Sequence, residues 1–214
     1  PLFELPHRVG MQGLAKLLDY CDRTQNLAST GITWHISETQ INICWQGSDY
    51  EFFEELNKQA YQLKNGEIDS PCLDLDDEER AIYSQGILNS FLQHNGHRKF
   101  TEEKQVREYE VLPGNLPITR TVRILRDYFY LSNPSKIFNK KGCFIKQIPL
   151  KSNHLPGLIE EPNGAGTYQG TLAEFITLHF LPLATAIYSL PMDLRGFRIA
   201  MCFVDTNNLL ASVN

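Results

Sequence analysis

The stretch SKIFNKKGCFIK, residues 135–146, places Lys136, Lys140, Lys141 and Lys146 among Phe138, Phe144 and Asn139. That mixture suits contact with nucleic acid. Lysines gain affinity by releasing counterions from phosphates, an amide can read a base edge, and aromatic rings can stack or wedge. Asn133, just upstream, is a second base-reading candidate beside Asn139. Arg98 and Lys99 in HRKFTEEKQ, and Arg120 and Arg123 in RTVRILRD, extend the set of phosphate candidates. In the plainer reading Phe138 and Phe144 are strand core and the lysines flank them. Lys140-Lys141-Gly142 reads as a tight basic turn, shaped to approach a backbone.

Other chemistries find less support. His94 and His97 stand three apart, a spacing that on a helix could put two imidazoles on one metal, but no carboxylate accompanies them as in HExxH. Gly96 between them points to a helix end, so capping or phosphate contact fits better than a metal. GxSxG, Walker and metal-deaminase patterns are absent, and no histidine stands near a cysteine as a nucleophile's partner would. Gly164 and Gly166 form no phosphate-binding fingerprint. The expectation is a non-enzyme without cofactor or metal. A metal-dependent nuclease using His94, His97 and the acidic run 74–79 stays as an alternative.

Composition bounds the class. The chain has 214 residues, 42% hydrophobic and 21% charged, ordinary for a folded globular protein able to bury its own core. Its five cysteines are scattered without a CxxC pair, so reduced thiols are expected. No apolar run approaches the roughly 20 residues of a membrane span, and the start lacks a basic-then-apolar leader pattern, which together suggest a cytoplasmic location. The net charge of −5 is unevenly spread. Residues 1–92 carry 6 Lys+Arg against 15 Asp+Glu, residues 93–151 carry 12 against 5, and residues 152–214 carry 2 against 5. A basic middle between acidic flanks fits a chain that meets phosphate with one surface and protein or solvent with the rest; a merely solvated basic face is the alternative.

The elements that must position these residues can be read from spacing. HRVGMQGLAKLLDYCDR spaces Val9, Leu14, Leu17, Leu18 and Cys21 as an amphipathic helix. ITWHISETQINICWQ alternates as a hairpin. Ser48 and Glu51 form a capping-box pattern opening a helix, with Asn65-Gly66 expected as its C-terminal cap. A third helix should start near Asp76, whose acidic surroundings suit a helix N-terminus. VREYEVL reads as a strand, RTVRILRDYFYL as strand or helix, and GCFIKQIPL as a strand. SNHLPGLIEEPNGAGTYQG is expected to be irregular, TLAEFITLHF a buried helix, and ATAIYSL and FRIAMCFVD strands. The sum is an α+β fold: an N-terminal helix and hairpin, further helices, then a mixed, mostly antiparallel sheet with a basic middle segment. One continuous domain is expected, with an acidic part at 1–92, a basic part at 93–151 and an apolar part at 152–214. The end at NLLASVN, without an evident closing element, suggests the N-terminal portion of a longer chain.

PHRVGMQGLAKLL, ITWHISETQINICW, SQGILNSFLQHNGHRK and LPG followed by GTLAEFITLHFLPLATAIYSLP, in that order, resemble the N-terminal region of the large-subunit family of type I CRISPR effector complexes, the Cascade particles. The resemblance implies a non-catalytic subunit that recognises the protospacer-adjacent motif on duplex DNA and helps open the duplex, while guide RNA reads the target. It implies as partners the guide RNA, target double-stranded DNA, the backbone and 5′-handle-binding subunits and, in transposon-borne relatives, transposition proteins. The family's motif-reading loop does not map onto this chain residue by residue. The base-contact candidates therefore rest on side-chain chemistry. A subunit that only assembles with guide RNA and neighbouring proteins is the nearest alternative.

Overall fold

The structure, a computed structural model, describes residues 5–109, 118–131, 137–150, 154, 168–192, 196–204, 206 and 208–212. Its first element, α1 (Leu5–Thr24), buries Val9, Leu14, Leu17, Leu18 and Cys21 on one stripe, as their spacing requires. The stripe faces α4 (Leu172–His179) and the 3₁₀ turn Leu181–Ala184. Glycines make the approach possible. A Cβ on Gly10 would stand 2.0 Å from the Thr177 carbonyl oxygen, and one on Gly13 would stand 2.0 Å from that of Phe180.

Strands β1 (Thr33–Ile36) and β2 (Ile41–Cys44) form the expected hairpin, with Thr33 opposite Cys44 and Ile36 opposite Ile41. Helix α2 (Asp49–Ala60) opens on a complete capping box: the Ser48 hydroxyl accepts from the Glu51 N–H, and the Glu51 carboxylate accepts from the Ser48 N–H. Its apolar side, Phe52, Phe53, Leu56 and Ala60, enters the core, each large side chain contributing about 1.5–3 kcal/mol.

The end of α2 departs from expectation. The helix stops at Ala60, and Tyr61 is already extended. Asn65 and Gly66, at φ of 53° and 74°, form the turn between β3 (Gln62–Lys64) and β4 (Glu67–Asp69) instead of a helix cap. Asn-Gly with both residues left-handed is the favoured two-residue hairpin turn, and pairing of the flanking residues decides between the two uses.

Helix α3 (Asp77–Asn89) starts as expected on Asp76, whose carboxylate accepts from the N–H groups of Glu78 and Glu79. The segment left open between strand and helix is a strand. β5 (Arg98–Tyr109) and β6 (Ile118–Tyr128) form a long antiparallel ribbon, irregular between Lys99 and Lys104. GCFIKQIPL contributes only β7 (Ile148–Leu150), paired with β8 (Tyr168–Gly170), plus a bridge from Phe144 to Phe138. β9 (Ala186–Met192) and β10 (Gly196–Cys202) close the order.

The fold is α+β. Among the described residues the strands form five separate antiparallel pairs rather than one larger sheet. Most of SNHLPGLIEEPNGAGTYQG, with Gly164 and Gly166, lies outside the described residues.

At the centre His179, fully buried, sits among Phe53, Tyr61, Tyr130, Phe175 and Phe180. The Asn57 amide N–H₂ donates to the Tyr130 carbonyl, so its oxygen must accept from His179 Nε2–H, 2.7 Å away. His179 is therefore the Nε2–H tautomer, and burial, with His154 nearby, holds its pKa well below 6.5. Among the described residues, no helix is long and apolar enough to cross a membrane.

Candidate nucleic-acid interface

The basic stretch folds into a small loop built on α2. Phe138 and Phe144 bridge across it and stack at 5.0 Å between ring centroids. Both rings pack on Phe53, and Phe144 also meets Phe52, so they belong to the core side of the loop. The aromatic residues expected either to meet bases or to fill core take the second role.

Between them, Asn139 organises a turn. Its side-chain oxygen accepts from the N–H of Lys141 at 2.8 Å and of Cys143 at 3.2 Å, and its carbonyl accepts from Gly142 N–H at 3.0 Å. Asn139 is thus a turn former through its side-chain oxygen, and its side-chain NH₂ stays on the exposed side of the loop. Gly142 takes the left-handed φ of 76° that closes the turn.

Two contacts fix the loop to the start of α2. Gly142 carbonyl accepts from Tyr50 N–H at 3.1 Å, and Asp49 Oδ2 accepts from Phe144 N–H at 2.8 Å. Asp49 Oδ1 meanwhile accepts from the Trp45 indole N–H at 3.1 Å, and Trp45 stacks on Phe52 at 4.1 Å. One carboxylate thus joins the hairpin's end, the helix and the basic loop.

Lys140, Lys141 and Lys146 project from this mount, all exposed and without an ion-pair partner among the described residues. Lys136 and Asn133 lie outside the described residues. The loop can offer three ammonium groups to an anionic surface from a backbone that is already ordered, so little backbone entropy is lost on binding.

The remaining candidates stand on the ribbon. Arg98 is half-buried and donates from Nη1 to the Leu88 carbonyl at 3.0 Å, serving the C-terminal end of α3. Lys99 pairs with Asp127 at 2.6 Å. Arg123 is exposed and lies 4.2 Å from the centroid of the Phe100 ring, a cation–π contact. Arg120 occupies the β6 position opposite Arg107.

Arg107 itself turns to the protein. Its guanidinium meets Glu67 at 2.5 Å and donates to the Asn65 carbonyl, while Arg80, buried within α3, approaches Glu67 from the other side at 3.8 Å and pairs with Asp77. These groups line a bay of about 490 Å³ with Glu78, Gln105, Glu108 and Ile124.

Sequence reasoning missed Asp49, which a capping-boxed helix start disguises as a mere dipole partner. It also missed Lys104, which only strand register places beside Arg123.

His97 ends a 3₁₀ turn, Asn95–His97, and His94, in extended backbone, precedes it, with the two rings 5.5 Å apart. No group of three or more His, Cys, Asp or Glu side chains is placed to hold a metal among the described residues. Residues of the acidic run 74–79 instead cap α3 and pair with Arg80. The cysteines are free, and burial pushes the thiols of Cys21 and Cys72 up to about 12.

A family model described as the DevT N-terminal domain matches residues 1–179, from α1 to the end of α4. No curated protein matches the chain.

Proposed function

The chain belongs to the DevT N-terminal domain family, and for this member we propose a non-catalytic role in nucleic-acid recognition. It would be the N-terminal part of a type I CRISPR large subunit, contacting duplex DNA at the protospacer-adjacent motif and aiding R-loop formation, for defence or RNA-guided transposition. Guide RNA, target DNA and the neighbouring Cascade subunits are the partners in this reading, and it places the chain in the cytoplasm.

One observation supports the role most: Lys140 and Lys141 stand exposed on an ordered turn, with no carboxylate paired to them among the described residues. Cations carried on an ordered backbone gain counterion-release free energy at a phosphate backbone without the cost of ordering the chain that bears them. The resemblance of the sequence segments to Cascade large subunits supplies the system. The acidic first part offers surface for protein neighbours, which electrostatic complementarity would orient.

The charge-reversing pair Lys140→Glu and Lys141→Glu tests the role in the assembled complex. Target-DNA affinity should fall, and the plot of log affinity against log salt should become shallower by about 1–2. Unchanged affinity and slope would sink the proposal. Crosslinks from residues 137–146 to RNA or protein alone would favour an assembly role instead.

A further inference from the structure

The β5–β6 ribbon carries a like-charge pair that no ion pair among the described residues neutralises. Register places Lys104 opposite Arg123, Val106 opposite Thr121 and Glu108 opposite Thr119, and strand alternation puts these six side chains on one face. All six are exposed. The other face packs inward: Arg107 pairs with Glu67, and Gly66 sits against Ile124.

Directly opposed side chains in an antiparallel pair have Cβ atoms about 5 Å apart, and like charges in that position are destabilising. Neither Lys104 nor Arg123 has an ion-pair partner among the described residues, although Glu102 and Glu103 are close in sequence. The irregularity between Phe100 and Lys104 takes those glutamates out of the paired ladder. Arg123 is also held over Phe100 at 4.2 Å, so its guanidinium is partly ordered.

We propose that this face of the ribbon is a second contact with duplex DNA, holding a backbone phosphate between Lys104 and Arg123. The inference rests on the nucleic-acid reading above but uses a different element. An anion between the two cations relieves their repulsion and converts a cost in the free protein into affinity. Thr119 and Thr121 supply hydroxyl donors to neighbouring phosphate oxygens, and Val106, 68% exposed, supplies an apolar contact of the kind made with a thymine methyl. A two-stranded ribbon also fits the major groove, about 12 Å wide in B-DNA.

Fluorescence anisotropy with a short labelled DNA duplex tests this on the whole chain, with Lys104→Glu and the double variant Lys104→Gln, Arg123→Gln. Lys104→Glu should raise the thermal midpoint of the free protein, because it sets a carboxylate opposite Arg123. It should also weaken duplex binding about tenfold. The double variant should make the salt slope shallower by about 1.

The pair Lys140→Gln, Lys141→Gln is measured alongside. If the turn variant loses affinity and the ribbon variants bind as the parent does, the ribbon contact is overturned and the wider reading stands. If the ribbon variants alone lose affinity, the ribbon contact stands and the turn's role falls. No duplex binding by the parent chain overturns the ribbon contact, while the wider reading is decided by the charge reversals in the assembled complex. An effect of the ribbon variants confined to single-stranded RNA or to an acidic protein overturns the ribbon contact.

Discussion

Asn139 holds the turn that carries Lys140 and Lys141 with a single side-chain oxygen. Because that oxygen accepts from the Lys141 and Cys143 N–H groups, Asn139→Asp keeps the acceptor and Asn139→Ala removes it. The alanine variant should lose about 1 kcal/mol of stability, the usual worth of such hydrogen bonds, and should bind duplex DNA more weakly because its lysines are no longer held in the turn. The aspartate variant should retain the turn. Denaturant titration and anisotropy of both variants check this, and equal loss of binding without loss of stability would instead mark the amide as a direct contact. Arg98 and Lys99 illustrate the opposite case. Their charges are engaged by the Leu88 carbonyl and by Asp127, so neutralising them should disturb the base of the ribbon more than the salt slope.

The basic loop has no regular structure of its own beyond one bridge, and α2 supplies its rigidity. Asp49→Ala removes the acceptor for both Trp45 and Phe144. Trypsin should then cleave after Lys140 or Lys141 several-fold faster at unchanged global stability, because local opening exposes those bonds. Equal cleavage rates would show that the aromatic packing beneath the loop suffices.

The same element shows what a sequence can and cannot disclose. The capping boxes at Ser48 and Asp76 were legible because all their partners lie within one turn of chain. Asn65-Gly66 is ambiguous in the sequence because a left-handed pair serves equally as a helix stop or a hairpin turn, and only pairing of Leu63 with Ile68 decides. Lys140 and Lys141 could be found as a turn, but their mount could not, since Asp49 is 95 residues away from the amide it binds. Lys104 was invisible for a related reason: its opposition to Arg123 depends on a register set by the irregularity before it.

At the scale of the whole molecule, charge and core are separated. Acidic groups dominate the first 92 residues and basic groups the next 59, while a neutral histidine sits in the middle of the aromatic core. His179 has a folded pKa well below its ordinary 6.5, so the unfolded chain binds the proton that the native chain refuses. Stability is therefore complete above about pH 6.5 and falls as pH drops below it, by about 1.4 kcal/mol per pH unit until the folded pKa is reached. Denaturation midpoints measured down this range should show that slope, and His179→Gln should reduce it; a flat profile in the parent chain would contradict the burial of a neutral imidazole.

The glycine contacts of α1 with Thr177 and Phe180 carry a kinetic consequence. They join the two ends of the family-matched region, and the core contacts of His179 likewise reach back more than a hundred residues, to Asn57 and Tyr61. A ribosome would release α1, the hairpin and α2 long before α4 exists to cover them. Such non-local closure slows folding and leaves apolar stripes open in the interval. The growing chain would thus be a client for chaperones until residues near 180 have emerged.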